Sequence, residues 1–309
     1  MLSGSTNAMP RGMKHICVCI CTYKRPQFLR RLLLELAHQN TGGLFTYSIV
    51  VADNDELETA RMEVLDFAAR ATIPVVYCVE PRQNIALTRN KAIENADGDF
   101  IAFIDDDEFP TKDWLLTLFK ACQEFKVDGV LGPVKPHFEQ EPPKWVVQGK
   151  FYDRATYPTG YVIDWRKGRT GNVLLKREIF ATGTSPFRSE FLSGEDQDFF
   201  RGMIEKGHVF IWCDEAVAYE YVPPMRWKRM FMLRRALLSG KASLAHRTFS
   251  AGNLAKSIVA VPAYVAALPV ALVLGHSRFM LVLVKLFDHL GKLLALMRIN
   301  PVKEPYVTE

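Results

Sequence analysis

Three adjacent aspartates, Asp105-Asp106-Asp107, close a short apolar run, and two more carboxylates, Glu195 and Asp196, open a later helical pattern. Neighbouring aspartates repel one another unless a cation relieves them. Alternation at a strand end predicts that Asp105 and Asp107 project to one side. Two hard oxygens there suit a divalent cation that keeps other positions for water and phosphate. The competing reading is an acidic cap, by Asp107 or Glu108, for a helix beginning near Trp114. In SGEDQDFF, residues 193–200, the acids Glu195, Asp196 and Asp198 begin a helix that Phe199 and Phe200 anchor. A carboxylate held at a helix N-terminus stays ionised and fixed, as a general base requires. Capping accounts for one acid there, not three.

These groups need a frame. Residues 16–22 (ICVCICT) form an apolar run of strand length, and Phe28, Leu29, Leu32, Leu33 and Leu36 then recur at helical spacing until Gly42-Gly43. A strand over 47–52 ends in Asp53-Asn54-Asp55, followed by a helix near 57–70 and a strand over 75–79. A helix over 85–96 and a strand over 100–104 lead into the three aspartates. Strand and helix in alternation predict an α/β fold, a mostly parallel sheet flanked by helices, whose ligands gather beyond the carboxyl ends of the strands. Three strand ends carry reactive residues: Thr22-Tyr23, Asp53-Asn54-Asp55 and Asp105–Asp107. Past residue 129 the pattern loosens. A strand at 172–175, a helix over 194–205, strand-like character over 207–222, a basic helix near 225–247 and an apolar tail over 254–299 remain visible.

Charge divides the chain. Between Tyr221 and Phe287 there are ten Lys and Arg and no acid, so with a net charge of +5 the remainder carries about −5. The basic span holds no recognisable nucleic-acid module, and no nucleic-acid partner is expected. Cys17, Cys19 and Cys21 alternate along one strand and read as buried thiols, with no C-x-x-C pair in the chain. The first fourteen residues lack an apolar core and read as a flexible tail, not a signal peptide.

The ordered set CTYKRP, VVADND, NIALTRNKAIENADGDFIAFIDDDE and GEDQDFF resembles the family-2 inverting glycosyltransferases of GT-A fold. Within them it is similar to bacterial succinoglycan-type exopolysaccharide glucosyltransferases. The resemblance implies that Thr22 and Tyr23 hold base and ribose, that Asp53 reads the uracil edge, and that Asn84, Arg89 and Asn90 flank the diphosphate. It implies a DxD-type site in which Asp107 binds a divalent cation, magnesium or manganese, with Asp105 beside it and Asp106 on the nucleotide-sugar. Asp196 matches the catalytic base and Glu195 its acidic neighbour. Arg169, Gly171 and Asn172 match a segment lining the acceptor cavity, where Trp145 and Trp165 could stack on sugar rings. Many relatives carry a histidine ligand near the last strand, where this chain reads AYEYVPP and offers Tyr219 and Glu220. Arg226-Trp227 ends a Q-x-x-R-W pattern whose Gln is Pro223, which favours transfer of one sugar over polymerisation.

The expected reaction is a single displacement. The cation neutralises the leaving diphosphate of a UDP-sugar, and Asp196 accepts the proton of the attacking hydroxyl. A nucleotidyltransferase would show a Gly-rich loop after the first strand, and CTYKRP has none. A catalytically silent nucleotide-sugar-binding scaffold or sensor is the alternative. The expected layout is a tail over 1–14, a catalytic domain over 15–222 divided near 110, and a membrane-associating region over 223–309. Ile258 to Gly275 is uncharged, though Pro262 and Pro269 interrupt it, and Lys285, Asp288, His289 and Lys292 share one helical face, as in an interfacial helix; the alternative is a soluble helical hairpin packed on the catalytic domain. The enzyme is therefore expected at the cytoplasmic face of the bacterial inner membrane, peripheral or shallowly inserted. Its acceptor would be an undecaprenyl-diphosphate oligosaccharide, as the resemblance implies.

Overall fold

The computed structural model describes residues 12–181, 185–191, 194–245, 251–299 and 302. Most of the expected tail, Ser193 and Arg247 lie outside them. The strands are β1 (Lys14–Thr22), β2 (Phe45–Asp53), β3 (Val75–Val79), β4 (Phe100–Ile104), β5 (Glu108–Pro110), β6 (Gly129–Leu131), β7 (Val134–His137), β8 (Asn172–Lys176), β9 (Phe210–Trp212) and β10 (Ala218–Tyr221). The helices are α1 (Pro26–Leu36), α2 (Arg61–Ala68), α3 (Ile85–Glu94), α4 (Trp114–Phe125), α5 (Lys144–Gln148), α6 (Glu195–Glu205), α7 (Arg229–Ala242), α8 (Ala251–Val273) and α9 (His276–Leu296).

Contacts divide the chain into two compact units. The first comprises Met1–Val134, Ala155–Ser189 and Glu195–Tyr219; the second comprises Lys135–Arg154, Glu190–Gly194 and Glu220–Glu309. The first unit holds a seven-stranded sheet in the order β3-β2-β1-β4-β8-β6-β9. Its pairs are parallel except those of β8 with β4 and β6. This is the mostly parallel, helix-flanked α/β architecture expected from the sequence.

Alternation along β1 sorts its side chains between two cores. Ile16, Val18 and Ile20 join one with Leu29, Leu32, Leu33 and Leu36 of α1. Cys17 and Cys19 join the other, with Ala86 and Ala92 of α3. Both faces of β1 are covered, which is why it reads as an unbroken apolar run. The six cysteines are free thiols, and burial pushes Cys21 up to about 12.

In the second unit, the basic stretch resolves into a turn at Pro224–Trp227 and the shorter helix α7. The apolar tail forms two helices, and α8 continues through Pro262 and Pro269. Two glycines set the approach of α7 to α9. A Cβ on Gly240 would lie 2.0 Å from the carbonyl oxygen of Asp288, and one on Gly291 would lie 2.3 Å from that of Leu237. Backbones meet this closely only where no side chain intervenes.

Candidate active site

Strand order creates the crevice. The chain leaves β1 for β2 and β3 on one flank, then places β4 on the other, so β1 and β4 are neighbours. Connections leaving such neighbours diverge beyond their carboxyl ends. Thr22, Asp53 and Ile104 end β1, β2 and β4, so all three acid-bearing or hydroxyl-bearing segments reach one rim.

The geometry of the aspartate run differs from simple alternation. β4 stops at Ile104, and the chain turns, with Glu108 N donating to Asp105 O at 3.0 Å. Asp105 and Asp107 are therefore not same-side strand neighbours. The turn instead sets Asp106 and Asp107 on one cation. Arg25 Nη1 donates to Asp106 Oδ1 at 3.3 Å and to Asp107 Oδ2 at 3.2 Å, and Thr22 Oγ1 donates to Asp106 Oδ2 at 2.7 Å. The Asp105 side chain is 45% exposed, against 7% and 10% for Asp106 and Asp107. Burial pushes Asp106 up to about 7; Arg25 pulls against it, while Asp107 and Asp105 add to it. Motif order alone does not single out Arg25. The available signal was electrostatic, since three adjacent acids call for a counter-charge and CTYKRP brings one just past β1.

Arg89 of α3 links the two acidic motifs. It is buried, pairs closely with Glu195 at the start of α6, and keeps Nη2 4.0 Å from Asp105 Oδ1. Burial acts against its charge, but Glu195 and Asp105 outweigh that and hold the guanidinium above its ordinary range. Asp196 stands next to this pair. Burial and then Glu195 push its carboxyl up to about 6, partly offset by Arg89, the Gln197 N–H and Arg169. A carboxylate near 6 is ionised at neutral pH yet more basic than a free aspartate.

Asn84 and Asn90 tie α3 to a later stretch of the chain. Asn84 caps α3, its Oδ1 accepting from Ala86 N and Leu87 N, while its Nδ2 donates to Ser189 O. Asn90 exchanges two bonds with the backbone of Phe187, at 2.7 and 3.0 Å. With Arg89 they fasten α3 to Phe187, Ser189 and Glu195. Arg188 in turn pairs with Asp198, its Nε donating at 2.6 Å, which accounts for the third acid of the motif.

Asp53 is fully enclosed. Its Oδ1 accepts from Asp55 N, and its Oδ2 accepts from Ala60 N and the Tyr77 hydroxyl. Burial raises its pKa against those bonds. Asp55, also buried, has an Oδ2 with no hydrogen-bond partner among the described residues. Tyr23 is half-buried with Lys24 over its ring at 5.1 Å.

The acceptor-side residues separate. Gly171 borders the aspartates, since a Cβ there would lie 2.9 Å from Asp105 Oδ2 and 2.9 Å from Glu108 Oε1. Arg169 is exposed and acts electrostatically on Asp196. Asn172 is buried and spent on structure. It accepts from Trp114 Nε1 at 2.7 Å and donates to the carbonyls of Pro133 and Ala216. Trp165 lies under Arg166 and Arg201, with ring distances of 4.5 and 5.5 Å. Trp145 belongs to the second unit and packs edge-on against Phe151 and His276. Glu220 also belongs to that unit, and its two oxygens take Arg154 and Arg226. Tyr219 stacks on Phe109 at 5.2 Å.

Among the described residues no group of three His, Cys, Asp or Glu side chains forms a ready metal cage. The donor chemistry nevertheless suits a hard divalent cation. Asp105 and Asp107 offer carboxylate oxygens where burial already opposes the Asp106 charge, and phosphate oxygens can complete the shell.

A model of glycosyl transferase family 2 matches residues 17–192. The succinoglycan biosynthesis protein ExoM of Rhizobium meliloti (strain 1021) is 34% identical over 255 residues, covering 80% of this chain and 82% of that protein. The crystal structure of S. aureus TarS 1-349 in complex with UDP aligns with a TM-score of 0.54 at 16% identity, covering 93% of each chain. The structure of GalNAc-T7 with UDP, GalNAc and Mn2+ aligns at 0.51 and 11% identity, covering 71% of this chain and 46% of that one. At those identities the two structures share the fold.

Proposed function

The chain belongs to glycosyl transferase family 2 and is a glycosyltransferase, and we propose that it moves one hexose, with glucose the first choice, from a UDP-sugar to a lipid-linked oligosaccharide. The product would be bacterial exopolysaccharide or another cell-surface glycan. The observation that carries the reading is the Arg89 bridge, with Glu195 and Asp105 on one guanidinium and Asp196 beside them.

In this reading the acceptor hydroxyl attacks the anomeric carbon as its proton passes to an Asp196 carboxylate oxygen. The bond from the anomeric carbon to the diphosphate oxygen breaks on the opposite face, so an α-linked donor gives a β-linkage. Glu195, held by Arg89, keeps its negative charge beside Asp196 and so keeps Asp196 basic. Asp107 and Asp105 would hold the divalent cation, whose contribution is charge neutralisation at the departing diphosphate. Arg25 holds Asp106 and Asp107 in place before substrate arrives. Thr22 and Tyr23 are the proposed nucleoside contacts, and Gly171 leaves room beside Asp105.

Membrane attachment is supported by α8. Its segment Gly252–Val273 has a mean hydropathy of 1.8 and is only 11% buried. Val265, Val270, Leu272 and Val273 present apolar side chains to the surroundings, and Lys228, Arg229, Arg234, Arg235 and Lys241 are exposed nearby in sequence. That combination fits a helix lying against anionic lipid at the cytoplasmic face.

The test incubates the full chain with UDP-glucose and magnesium or manganese, and scores UDP release with and without undecaprenyl-diphosphate oligosaccharide. Acceptor-dependent release of UDP is expected. Binding of UDP-sugars without acceptor-dependent release from any of them would sink the reading in favour of a silent scaffold.

A further inference from the structure

We propose that the helical unit carries its own site for a phosphate-bearing lipid headgroup, a pocket in which Arg235 and Lys285 hold the anion. The pocket has a volume of about 560 Å³ and lies wholly within the second unit, bounded by α7, α8, α9 and residues 151–154. That volume accommodates a diphosphate and the first carbons of its chain.

Its lining is of two kinds. Phe151, Phe231, Met232 and Val284 are apolar, and Arg235 and Lys285 are cationic. Neither cation forms an ion pair among the described residues, whereas two of the three lining acids are paired. Glu220 is taken by Arg154 and Arg226, and Asp288 by Lys292 at 2.6 Å. The lining charges Arg154, Arg235 and Lys285 balance Asp153, Glu220 and Asp288. Arg226 and Lys292, which pair with those acids from outside the lining, leave a local surplus of positive charge. A phosphate would find two uncommitted donors there, and charge-assisted bonds are the strong ones.

His289 bonds to Ser257 Oγ at 2.9 Å and stacks on Tyr264 at 5.7 Å, which ties α8 to α9 beside the pocket. α8 also carries exposed apolar side chains, among them Val265, Val270, Leu272 and Val273, which suit a hydrocarbon tail attached to the anion. A soluble anion would have no use for them; an amphiphile does. Two sources share this chemistry, bulk anionic phospholipid and the polyprenyl diphosphate of the acceptor. The inference rests on the membrane reading above.

The test uses the full chain and farnesyl diphosphate as probe, with farnesol as the uncharged control. Saturable binding is expected, at least about tenfold tighter than farnesol. The Arg235→Gln/Lys285→Gln pair should lose about tenfold or more in probe affinity, with melting temperature and UDP affinity unchanged, because both residues are exposed. The Arg235→Lys/Lys285→Arg pair should keep the binding. Displacement of the probe by phosphatidylglycerol vesicles supports the site and assigns it to bulk lipid. Displacement by undecaprenyl diphosphate in phosphatidylcholine vesicles, but not by phosphatidylglycerol, supports it and assigns the acceptor. Equal affinity for farnesol, or undiminished binding by the Gln pair, overturns it. UDP release from UDP-glucose, scored separately, reports failure of the transfer reading by itself.

Discussion

Glu195 in the sheet-based unit and Glu220 in the helical unit are both buried carboxylates gripped by arginine, yet their surroundings are opposite. Glu220 has one guanidinium for each oxygen, and its charge is satisfied. Glu195 pairs with Arg89, which also stands 4.0 Å from Asp105, and Asp196 alongside is pushed up by burial and by Glu195. A saturated acid serves architecture. A site short of positive charge stores basicity and retains affinity for an incoming cation or proton, which is what phosphate departure and hydroxyl attack require.

This contrast can be broken from either side. The largest effect is expected for Asp196→Asn, which removes the base and should lower transfer by roughly 10²–10⁴-fold in a UDP-release assay. UDP affinity should stay within about twofold. Unfolding should show no loss of stability in this variant. The folded-state pKa of Asp196 lies above the unfolded one, so its carboxylate costs stability as pH rises through about 4 to 6, and the neutral amide escapes that cost.

Arg89→Met comes next. It strands Glu195 and Asp105 without their shared cation, and denaturant unfolding should record a loss of about 3–5 kcal/mol. A pH series is a milder probe of the same shortage. Transfer should fall about tenfold per pH unit below about 6, where Asp196 becomes protonated, and level off above 7. A limb unmoved in Glu195→Gln would show that Glu195 does not raise Asp196, because removing that negative charge should shift the limb to lower pH. The smallest effect is expected for Arg154→Ala. Glu220 keeps Arg226 at 2.8 Å, so stability should fall by about 1 kcal/mol or less, with transfer near normal.

Much of the first unit was legible because its signals are local. The apolar run of β1 and the leucines of α1 each declare an element within a dozen residues. The antiparallel β8 was not legible as such, because its pairing with β4 and β6 depends on a return path through the proline-rich middle region. The same limit applies to the site. Asn84, Arg89 and Asn90 sit in one motif, and nothing within it shows that their partners are Ser189, Glu195 and Phe187, about a hundred residues later. Asn172 likewise looks like a polar residue before a strand, whereas its amide spans three chain segments.

By itself the sequence determined which chemistry is available: carboxylates at a strand end and a helix start, an acid-free basic span, and an apolar helix behind it. Composition and periodicity act over short distances, so they carry that information without a fold. Tertiary structure decided which charges are satisfied. Whether a carboxylate is an architectural ion pair or a poised base depends on how many guanidiniums reach it and how much water is excluded. Chain segments far apart in sequence set both, bringing Arg154 and Arg226 to the two oxygens of Glu220 and Arg89 to Glu195 with Asp196 alongside.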